Sequence, residues 1–226
     1  LRDLEAATGC RVLGQIPKIP AKAGANVLRY LADRPISDAA EAIRDLRSSL
    51  LRLNGGSPPQ VIVCTSSVPG EGKTVASLAL AQSLCGPGKF VLLVEADSRG
   101  RGLEQPSRKG IGAVLQEGLS LSEAVHRPDG FGADVLGCDG FDTHAADLFA
   151  SDRFQTLMEE ARQTYAQVQL DRGLVNEAYA QYLRLIEQYP DEVPARLTLA
   201  EIAVTRGDWA EVRRHGEAAA TLAPDD

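Results

Sequence analysis

The stretch that decides the fold is residues 61–84, VIVCTSSVPGEGKTVASLALAQSL. It opens with Val61–Thr65, a short apolar run that is typical of a strand buried on both faces of a parallel sheet. It closes with Lys73–Leu84, whose apolar residues fall at helical spacing and precede a Gly-Pro-Gly turn. A glycine-rich turn joins the two segments. The stretch therefore predicts a strand, a phosphate-binding turn and a helix, in that order.

The turn carries the residue types that hold nucleotide phosphates. Gly70 and Gly72 let successive backbone N–H groups face inward around phosphate oxygens. The Lys73 amine would reach the β- and γ-phosphates, and the Thr74 hydroxyl would ligate Mg²⁺. Ser67 stands where the strict motif has glycine, and an ordinary helix start is the alternative explanation. The candidate ATP-binding residues are Pro69, Gly70, Glu71, Gly72, Lys73, Thr74 and Val75.

Two carboxylates follow the next apolar run, Phe90–Val94. Glu95 and Asp97 would lie at the carboxyl end of a parallel strand, which faces the same crevice as the phosphate-binding turn. Asp97 could therefore hold Mg²⁺ or orient the attacking hydroxyl. A solvated turn at the end of the strand is an equally good explanation of these residues alone.

The rest of the first two thirds alternates helix and strand patterns. A helix is predicted after Ser37, which is a good N-cap, and ends before Gly55. Short helices near 111–117 and 120–126, a strand at 133–136 and a helix at about 145–162 follow. This alternation predicts an α/β fold with a parallel sheet.

The last third shows an internal period of 34 residues instead of strands. A small residue, a glycine and a proline each recur at this spacing: Ala166 and Ala200, Gly173 and Gly207, Pro190 and Pro224. That pattern is typical of tetratricopeptide repeats, in which glycine marks the helix–helix turn and proline ends the second helix. Unrelated helices are the alternative. We therefore divide the chain into an ordered linker (1–36), a phosphate-loop domain (37–165) and two repeats (166–226).

Composition excludes several classes of protein. The 226 residues include 24 basic and 31 acidic ones, and the net charge of −7 argues against a nucleic-acid binder. No apolar run approaches the roughly 20 residues that span a bilayer, and no signal peptide opens the chain. Four cysteines without regular spacing indicate small buried residues in a reducing cytoplasm. Because the single methionine is Met158, we expect the sequence to be a fragment.

Taken together, these motifs resemble the bacterial tyrosine kinases, the autokinases that regulate capsule and exopolysaccharide export. Ser66–Thr74 is similar to the family's phosphate loop, in which serine is usual at the start. Glu95, Asp97 and Arg99 are similar to its second Walker motif, with glutamate where aspartate is usual. The resemblance spans about residues 4–165 and implies ATP and Mg²⁺ as cofactors, with Lys73 and Asp97 as catalytic residues and Thr74, Asp97 and Glu95 as metal ligands.

The resemblance also implies contacts beyond the nucleotide. Glu41, Arg44 and Arg47 match the helix with which such kinases assemble into rings, although a solvated helix face is the better explanation of these three residues alone. A membrane contact would come only through a segment upstream of Leu1.

The resemblance breaks after Tyr165. The family continues with an apolar strand that ends in the Walker B acid, and Asp171 falls at that position as a third catalytic candidate. Residues 166–171 alternate polar and apolar types, however, and they also fit the first helix of the repeat. We favour the helix, because a central strand should be apolar on both faces. Val61–Thr65 would then keep an open hydrophobic edge.

Three functions remain in competition. The first is a cytoplasmic ATP-binding module of the tyrosine autokinase type, with an incomplete sheet, weak or absent kinase activity and repeats that bind protein partners. The second is a non-catalytic repeat scaffold with a vestigial phosphate loop. The third, a partitioning ATPase, fits less well because such proteins carry an additional lysine early in the loop, whereas Lys73 is the only lysine here.

Overall fold

Helices make up most of the described chain, together with a small parallel sheet. The computed structural model describes residues 2–19, 27–53, 59–86, 89–97, 109–139, 145–171 and 173–223. The chain divides into two units, of which the first contains residues 1–87, 91–93 and 127–135. The second contains residues 88–90, 94–126 and 136–226.

The described residues of the first unit form four helices. They are α1 (Arg2–Thr8), α2 (Val27–Asp33), α3 (Asp38–Leu51) and α4 (Lys73–Leu84). The predicted N-cap of α3 is confirmed, because Ser37 Oγ accepts the Ala40 N–H at 3.3 Å. The bounds of α4 are those predicted from the sequence. The segment 1–36, predicted as a linker, contains the short helices α1 and α2.

The sheet among the described residues has two strands, β1 (Leu92–Val94) and β2 (Asp134–Leu136). The Asp134 N–H donates to the Val91 carbonyl at 2.9 Å, and the Glu95 N–H donates to the Leu136 carbonyl at 2.9 Å. This staggered exchange is the hydrogen-bond pattern of parallel strands. Both predicted strands are confirmed, and the observed strands are shorter than the predicted ones.

Helix α4 packs against the strand residues that belong to the first unit. Ala81 of α4 shares a buried cluster with Phe131, Ala133 and Val135. The Gln82 Oε1 accepts the Gly132 N–H at 2.8 Å, which holds the chain before β2 against the helix. The position of the phosphate-binding turn at the start of α4 is therefore fixed by apolar packing along that helix.

The predicted buried strand at Val61–Thr65 is wrong. This segment lies outside the described sheet, and Val61 and Val63 are 48% and 85% exposed. An apolar run becomes a buried strand only when a distant segment pairs with it, and in the resembled fold that partner follows Tyr165. Residues 166–171 are helical here. The expected open strand edge is therefore not present either, and Val61, Ile62 and Val63 are exposed apolar side chains outside any described strand.

In the part of the second unit that the structure describes, there are a π-helix and six α-helices. The π-helix is Ala113–Glu117, and the α-helices are α5 (Leu121–Ala124), α6 (Ala145–Phe149), α7 (Asp152–Asp171), α8 (Val175–Gln188), α9 (Val193–Arg206) and α10 (Trp209–Leu222). The single helix predicted at 145–162 is divided at Ser151, whose hydroxyl accepts the Phe154 N–H and starts α7. The predicted boundary between residues 165 and 166 falls inside α7.

Helices α7 to α10 pack in succession, and the first three of them share one buried cluster. Its members come from α7, α8 and α9: Ala166, Tyr182, Leu185, Ala195, Leu199 and Ile202. Gly173 and Gly207, 34 residues apart, have φ values of 73° and 72° and form the turns that precede α8 and α10. The first residues of α8 and α10 are also 34 positions apart, as are their last residues. The periodicity seen in the sequence is therefore present in the backbone.

Histidine 215 makes the stability of the second unit depend on pH. Its side chain is 1% exposed on α10, and burial lowers the pKa of the imidazole, although the nearby Glu211 carboxylate opposes that shift. Below about pH 6.5 the unfolded chain binds a proton that the folded chain does not. We expect the contribution of His215 to the free energy of unfolding to be constant above that pH. It should fall as the pH decreases towards the lowered pKa of the imidazole.

Urea unfolding followed by the fluorescence of Trp209, the chain's one tryptophan, measures this dependence. His215→Gln is the control, since it keeps a polar side chain but cannot titrate. The difference in stability between the two proteins should narrow as the pH decreases from about 7.5 to 5. A difference that stays constant over this range would contradict the assignment of the effect to His215.

Candidate functional site

The predicted phosphate-binding turn has a backbone conformation that favours glycine. Gly70 and Gly72 have φ values of 84° and 92°, a region that L-residues with side chains rarely adopt. Helix α4 begins directly after Gly72, and no side chain caps its start. The amides of a first helical turn have no acceptor within the helix, and the helix dipole is positive there. The turn therefore offers backbone donors to an anion.

One anionic group already bonds to this turn. The Glu71 Oε2 accepts the Ser67 N–H at 2.9 Å and the Val68 N–H at 3.3 Å. Two successive amides thus converge on a single carboxylate oxygen, as they would on a phosphate oxygen. This contact shows that the backbone at the start of the turn is curled with its donors on one side.

The side chains of the turn are accessible. Thr74 is exposed and Lys73 is half-buried at the first position of α4. The Ser77 hydroxyl donates to the Lys73 carbonyl at 2.8 Å, within the first turn of the helix. The amine and hydroxyl proposed for the β/γ-phosphates and Mg²⁺ therefore lie on consecutive residues at the positive end of a helix. The donor set fits a nucleotide phosphate.

Glu95 and Asp97 follow β1, as the sequence predicts. Glu95 Oε2 accepts the Cys138 N–H at 3.2 Å, so the glutamate joins the ends of β1 and β2 within the second unit. The predicted phosphate-binding turn belongs to the first unit. Asp97 is half-buried, whereas Arg99 lies outside the described residues.

A metal site remains a prediction. Among the described residues, no group of three or more histidine, cysteine, aspartate or glutamate side chains could hold a metal ion. Mg²⁺ commonly binds through one or two protein ligands together with substrate phosphates, so its binding with a nucleotide does not require such a cluster. Thr74, Asp97 and Glu95 therefore stay the predicted ligands.

Asp171 is the last residue of α7, and its Oδ1 accepts the Gln167 Nε2–H at 2.9 Å. Of the two conformations that the sequence allows for residues 166–171, the helix is confirmed. The carboxylate therefore does not follow a strand, as a Walker B acid does. A catalytic role for Asp171 stays a prediction.

A fourth carboxylate, Asp139, was not singled out from the sequence. It accepts three backbone N–H groups, from Gly110 (2.9 Å), Gly112 (2.7 Å) and Ala113 (3.0 Å). These bonds attach the start of the π-helix to the segment that follows β2. The sequence signal is the pair of glycines in Gly110-Ile-Gly112, which leaves room for close backbone approach, but nothing in the sequence pairs it with residue 139.

Replacing Asp139 by alanine should destabilise the second unit. The variant leaves three amides without their charged acceptor, at a cost of about 2–3 kcal/mol. Thermal unfolding followed by circular dichroism measures the change. Asp33→Ala is the matched control, because Asp33 makes only an exposed pair with Arg29 at 3.7 Å and its loss should cost less than about 0.5 kcal/mol. Equal losses in the two variants would contradict the role of Asp139.

The residues predicted for ring assembly lie on α3. The Arg44 Nη1 donates to the Pro35 carbonyl at 2.7 Å, and Glu41 lies 3.9 Å from Arg44. The Arg47 Nη1 donates to the Ser83 carbonyl at 2.9 Å, which ties α3 to the end of α4. Both arginines thus have bonds within the chain, and assembly through them stays a prediction.

Comparison with known proteins supports the resemblance. EpsB of Ralstonia solanacearum is 30% identical over 183 residues, 75% of this chain and 24% of that protein. The tyrosine-protein kinase Etk of Escherichia coli is 27% identical over 151 residues, 65% of this chain and 21% of that protein. The relatives are bacterial tyrosine kinases. No protein-family model matches the chain.

A solved structure agrees with this. The BceF tyrosine kinase domain superimposes with a TM-score of 0.56 at 26% identity, covering 74% of this chain and 69% of that one. The chain spans about a quarter of the length of the first curated relatives that it matches. Within the part of the chain that the structure describes, every helix is too short or too polar to cross a membrane.

Proposed function

We propose that this chain is an ATP-binding module of the bacterial tyrosine kinase type. The observation that carries the proposal is the turn itself. Two glycines with left-handed φ precede a helix that begins at Lys73 without a side-chain cap. A helix start of this kind is an anion site, and the residues around it have the chemistry of a phosphate loop.

The chain's own residues would bind and orient the nucleotide. The amides of residues 70–75 would hold the phosphate oxygens, and the Lys73 ammonium would lower the energy of negative charge on the terminal phosphate. The Thr74 hydroxyl, with Asp97 and Glu95, would hold Mg²⁺. The metal, when bound, would neutralise phosphate charge. When a nucleotide binds, the Glu71 carboxylate would either release the Ser67 and Val68 amides to the phosphate or stay bonded to them at the outer edge of the site.

Protein-tyrosine phosphotransfer is the activity that the relatives suggest. In this chain Asp97 would accept the proton of a tyrosine hydroxyl. We expect transfer to be weak, because residues 166–171 form the end of a helix and no strand presents Asp171 to the nucleotide. The module would function in the cytoplasm, where ATP is supplied, in exopolysaccharide or capsule biosynthesis.

Helices α7 to α10 would form two tetratricopeptide repeats that bind a protein partner. The 34-residue spacing of Gly173 and Gly207, together with the matching bounds of α8 and α10, supports this assignment. In the competing function the repeats are the active part and the phosphate loop is vestigial. The exposed Val61–Val63 segment, which precedes the loop in the sequence, favours that alternative, because it lies outside the described two-stranded sheet.

Transfer from radiolabelled ATP to a glutamate–tyrosine copolymer tests the enzymatic proposal. We expect slow incorporation of phosphate, which Lys73→Met abolishes. Incorporation as fast as that of an active tyrosine kinase would show that the helical position of Asp171 does not limit the transfer. Incorporation that is insensitive to Lys73→Met would contradict the site. Nucleotide binding without phosphate transfer would support a module that binds ATP but does not catalyse transfer. The absence of both binding and transfer would favour a vestigial loop.

A further inference from the structure

The carboxylate of Glu71 is an anion that the chain itself supplies to the predicted phosphate-binding turn. Its Oε2 atom accepts the N–H groups of Ser67 and Val68, at 2.9 and 3.3 Å. Successive backbone amides that converge on one oxygen atom are the arrangement in which such turns bind a phosphate oxygen. The Glu71 side chain therefore occupies two donors that an external anion would otherwise meet.

A second hydrogen bond holds the same part of the turn. The Ser66 hydroxyl donates to the Val68 carbonyl at 3.2 Å. Pro69 follows directly, and a proline disfavours the helical conformation of the residue before it. The first residues of the turn are therefore bent by local contacts, and the two bonds to Glu71 connect them to its far side. We call this conformation, with both amides bonded to Glu71, the closed turn.

The contacts of the closed turn lie at the surface of the protein. Ser67, Val68 and Glu71 are all exposed. A Cβ atom at Gly70 or Gly72 would meet no atom of the described residues within 4 Å, so there is open space beside both glycines. The bonds to Glu71 can therefore break without disturbing the apolar cluster that holds α4 in place.

A nucleotide would bring further negative charge to this turn. The Lys73 ammonium, predicted to contact the terminal phosphates, is only two residues after Glu71. A phosphate group near Lys73 would repel the Glu71 carboxylate, because like charges at short distance are unfavourable. The carboxylate and a phosphate would also compete for the Ser67 and Val68 amides, since each amide donates a single hydrogen atom. Occupation of the site by phosphate therefore favours release of Glu71.

We propose that Glu71 is an autoinhibitory residue, whose carboxylate keeps the turn closed until the phosphates of a nucleotide displace it. The inference rests on the proposed nucleotide-binding function and specifies how that site is regulated. The apparent affinity for nucleotide is reduced by the fraction of molecules in which the turn is open. If about one molecule in ten has an open turn, the apparent affinity is about tenfold weaker than that of a turn that is always open.

Titration of the full chain with fluorescent ADP and Mg²⁺ tests the proposal. Glu71→Ala removes the internal anion, so we expect this variant to bind ADP about tenfold more tightly than wild type. Asp33→Asn is the matched control, because it also removes one negative charge from the first unit, at an exposed pair with Arg29. It should bind ADP as wild type does. Equal affinities of Glu71→Ala and wild type would overturn the proposal.

Glu71→Asp separates the contact from the charge. Aspartate keeps the negative charge, but its side chain is one methylene group shorter and does not reach both amides. We expect this variant to bind ADP at least about threefold more tightly than wild type. The difference should persist in high salt, which screens repulsion between exposed charges. Wild-type affinity in Glu71→Asp, beside tighter binding in Glu71→Ala, would show a simple charge effect and would overturn the closed turn.

The amide resonances of Ser67 and Val68 report the contact in the absence of nucleotide. Hydrogen bonds to a charged acceptor are the stronger ones, so Glu71→Ala should move the proton resonances of both amides upfield. Resonances that stay in place would show that the carboxylate does not bond to these amides, and they would overturn the proposal.

The ADP titrations also separate this inference from the nucleotide site. ADP that binds wild type and Glu71→Ala equally would contradict the inference and leave the site in place. If ADP binds neither protein, the nucleotide proposal is contradicted and the inference fails with it. Tighter binding in Glu71→Ala that is lost on adding Lys73→Met would support both, because Glu71 and Lys73 would then act on the same phosphates.

Discussion

Replacing Gly110 by alanine should lower the stability of the second unit more than any other glycine-to-alanine substitution that we propose. A Cβ atom at this position would lie 2.2 Å from the Gly137 carbonyl oxygen and 2.9 Å from its carbon. Both atoms belong to backbone that is fixed by the hydrogen bond from the Ile111 N–H to the Gly137 carbonyl, at 2.8 Å. Neither neighbour can rotate away, so the two segments must separate.

The expected cost is about 3 kcal/mol, at the upper end for overpacking, because the clash is with backbone. For a chain of this size that lowers the melting temperature by about 6–12 °C. Separation of the segments would also break the three amide bonds of Asp139. Differential scanning calorimetry measures the loss, and loss of the bonds should appear as faster hydrogen exchange at residues 110–113.

Gly216→Ala is the control, and we expect it to change the stability in the opposite direction. Gly216 lies within α10, and a Cβ there would meet no atom within 4 Å. Alanine is the better helix former, so we expect this variant to gain about 0.5–1 kcal/mol. Unchanged stability of Gly110→Ala would show that residues 110 and 137 do not approach each other closely.

Replacing Lys73 by methionine should weaken nucleotide binding at least about 30-fold, which corresponds to about 2 kcal/mol. Methionine keeps the length and apolar character of the lysine stem and removes only the charged amine. The bond from Ser77 to the residue 73 carbonyl involves backbone, so it is retained and α4 should still begin at this position. The loss would therefore report on phosphate contact and not on folding.

Lys109→Met is the matched control. It removes the same charge, but Lys109 is exposed and pairs with Glu117 at 3.0 Å, on the surface of the second unit. Titration with fluorescent ADP should give wild-type affinity for Lys109→Met and the large loss for Lys73→Met. Equal affinities in the two variants would show that the Lys73 amine does not contact phosphate.

The sequence was sufficient where structure depends on near neighbours. Helix α4 has its predicted bounds, because glycines precede and follow it and its apolar residues repeat at helical spacing. The Ser37 cap and the turns at Gly173 and Gly207 were also predictable, since each depends on one residue's conformation or side chain. The left-handed φ values at Gly70 and Gly72 belong to this class.

The sequence was insufficient where the partner is distant. Val61–Thr65 has a strand pattern, but a buried strand also needs a pairing partner elsewhere in the chain, and the described sheet contains only β1 and β2. The bonds of Asp139 connect segments separated by more than 25 residues, and no local pattern identifies them. The same limit applies to the hydrogen bond from the Cys138 N–H to the Glu95 carboxylate, because these two residues come together only when β1 and β2 pair.

The most direct test of the nucleotide site is an amide-resolved NMR titration of the labelled chain with ADP and Mg²⁺. If the turn wraps the phosphates, the largest and saturable shifts will occur at the amides of Gly70, Gly72, Lys73 and Thr74, and Lys73→Met will suppress them. Amides at 70–74 that do not move at millimolar nucleotide would contradict the assignment of this turn as the phosphate site.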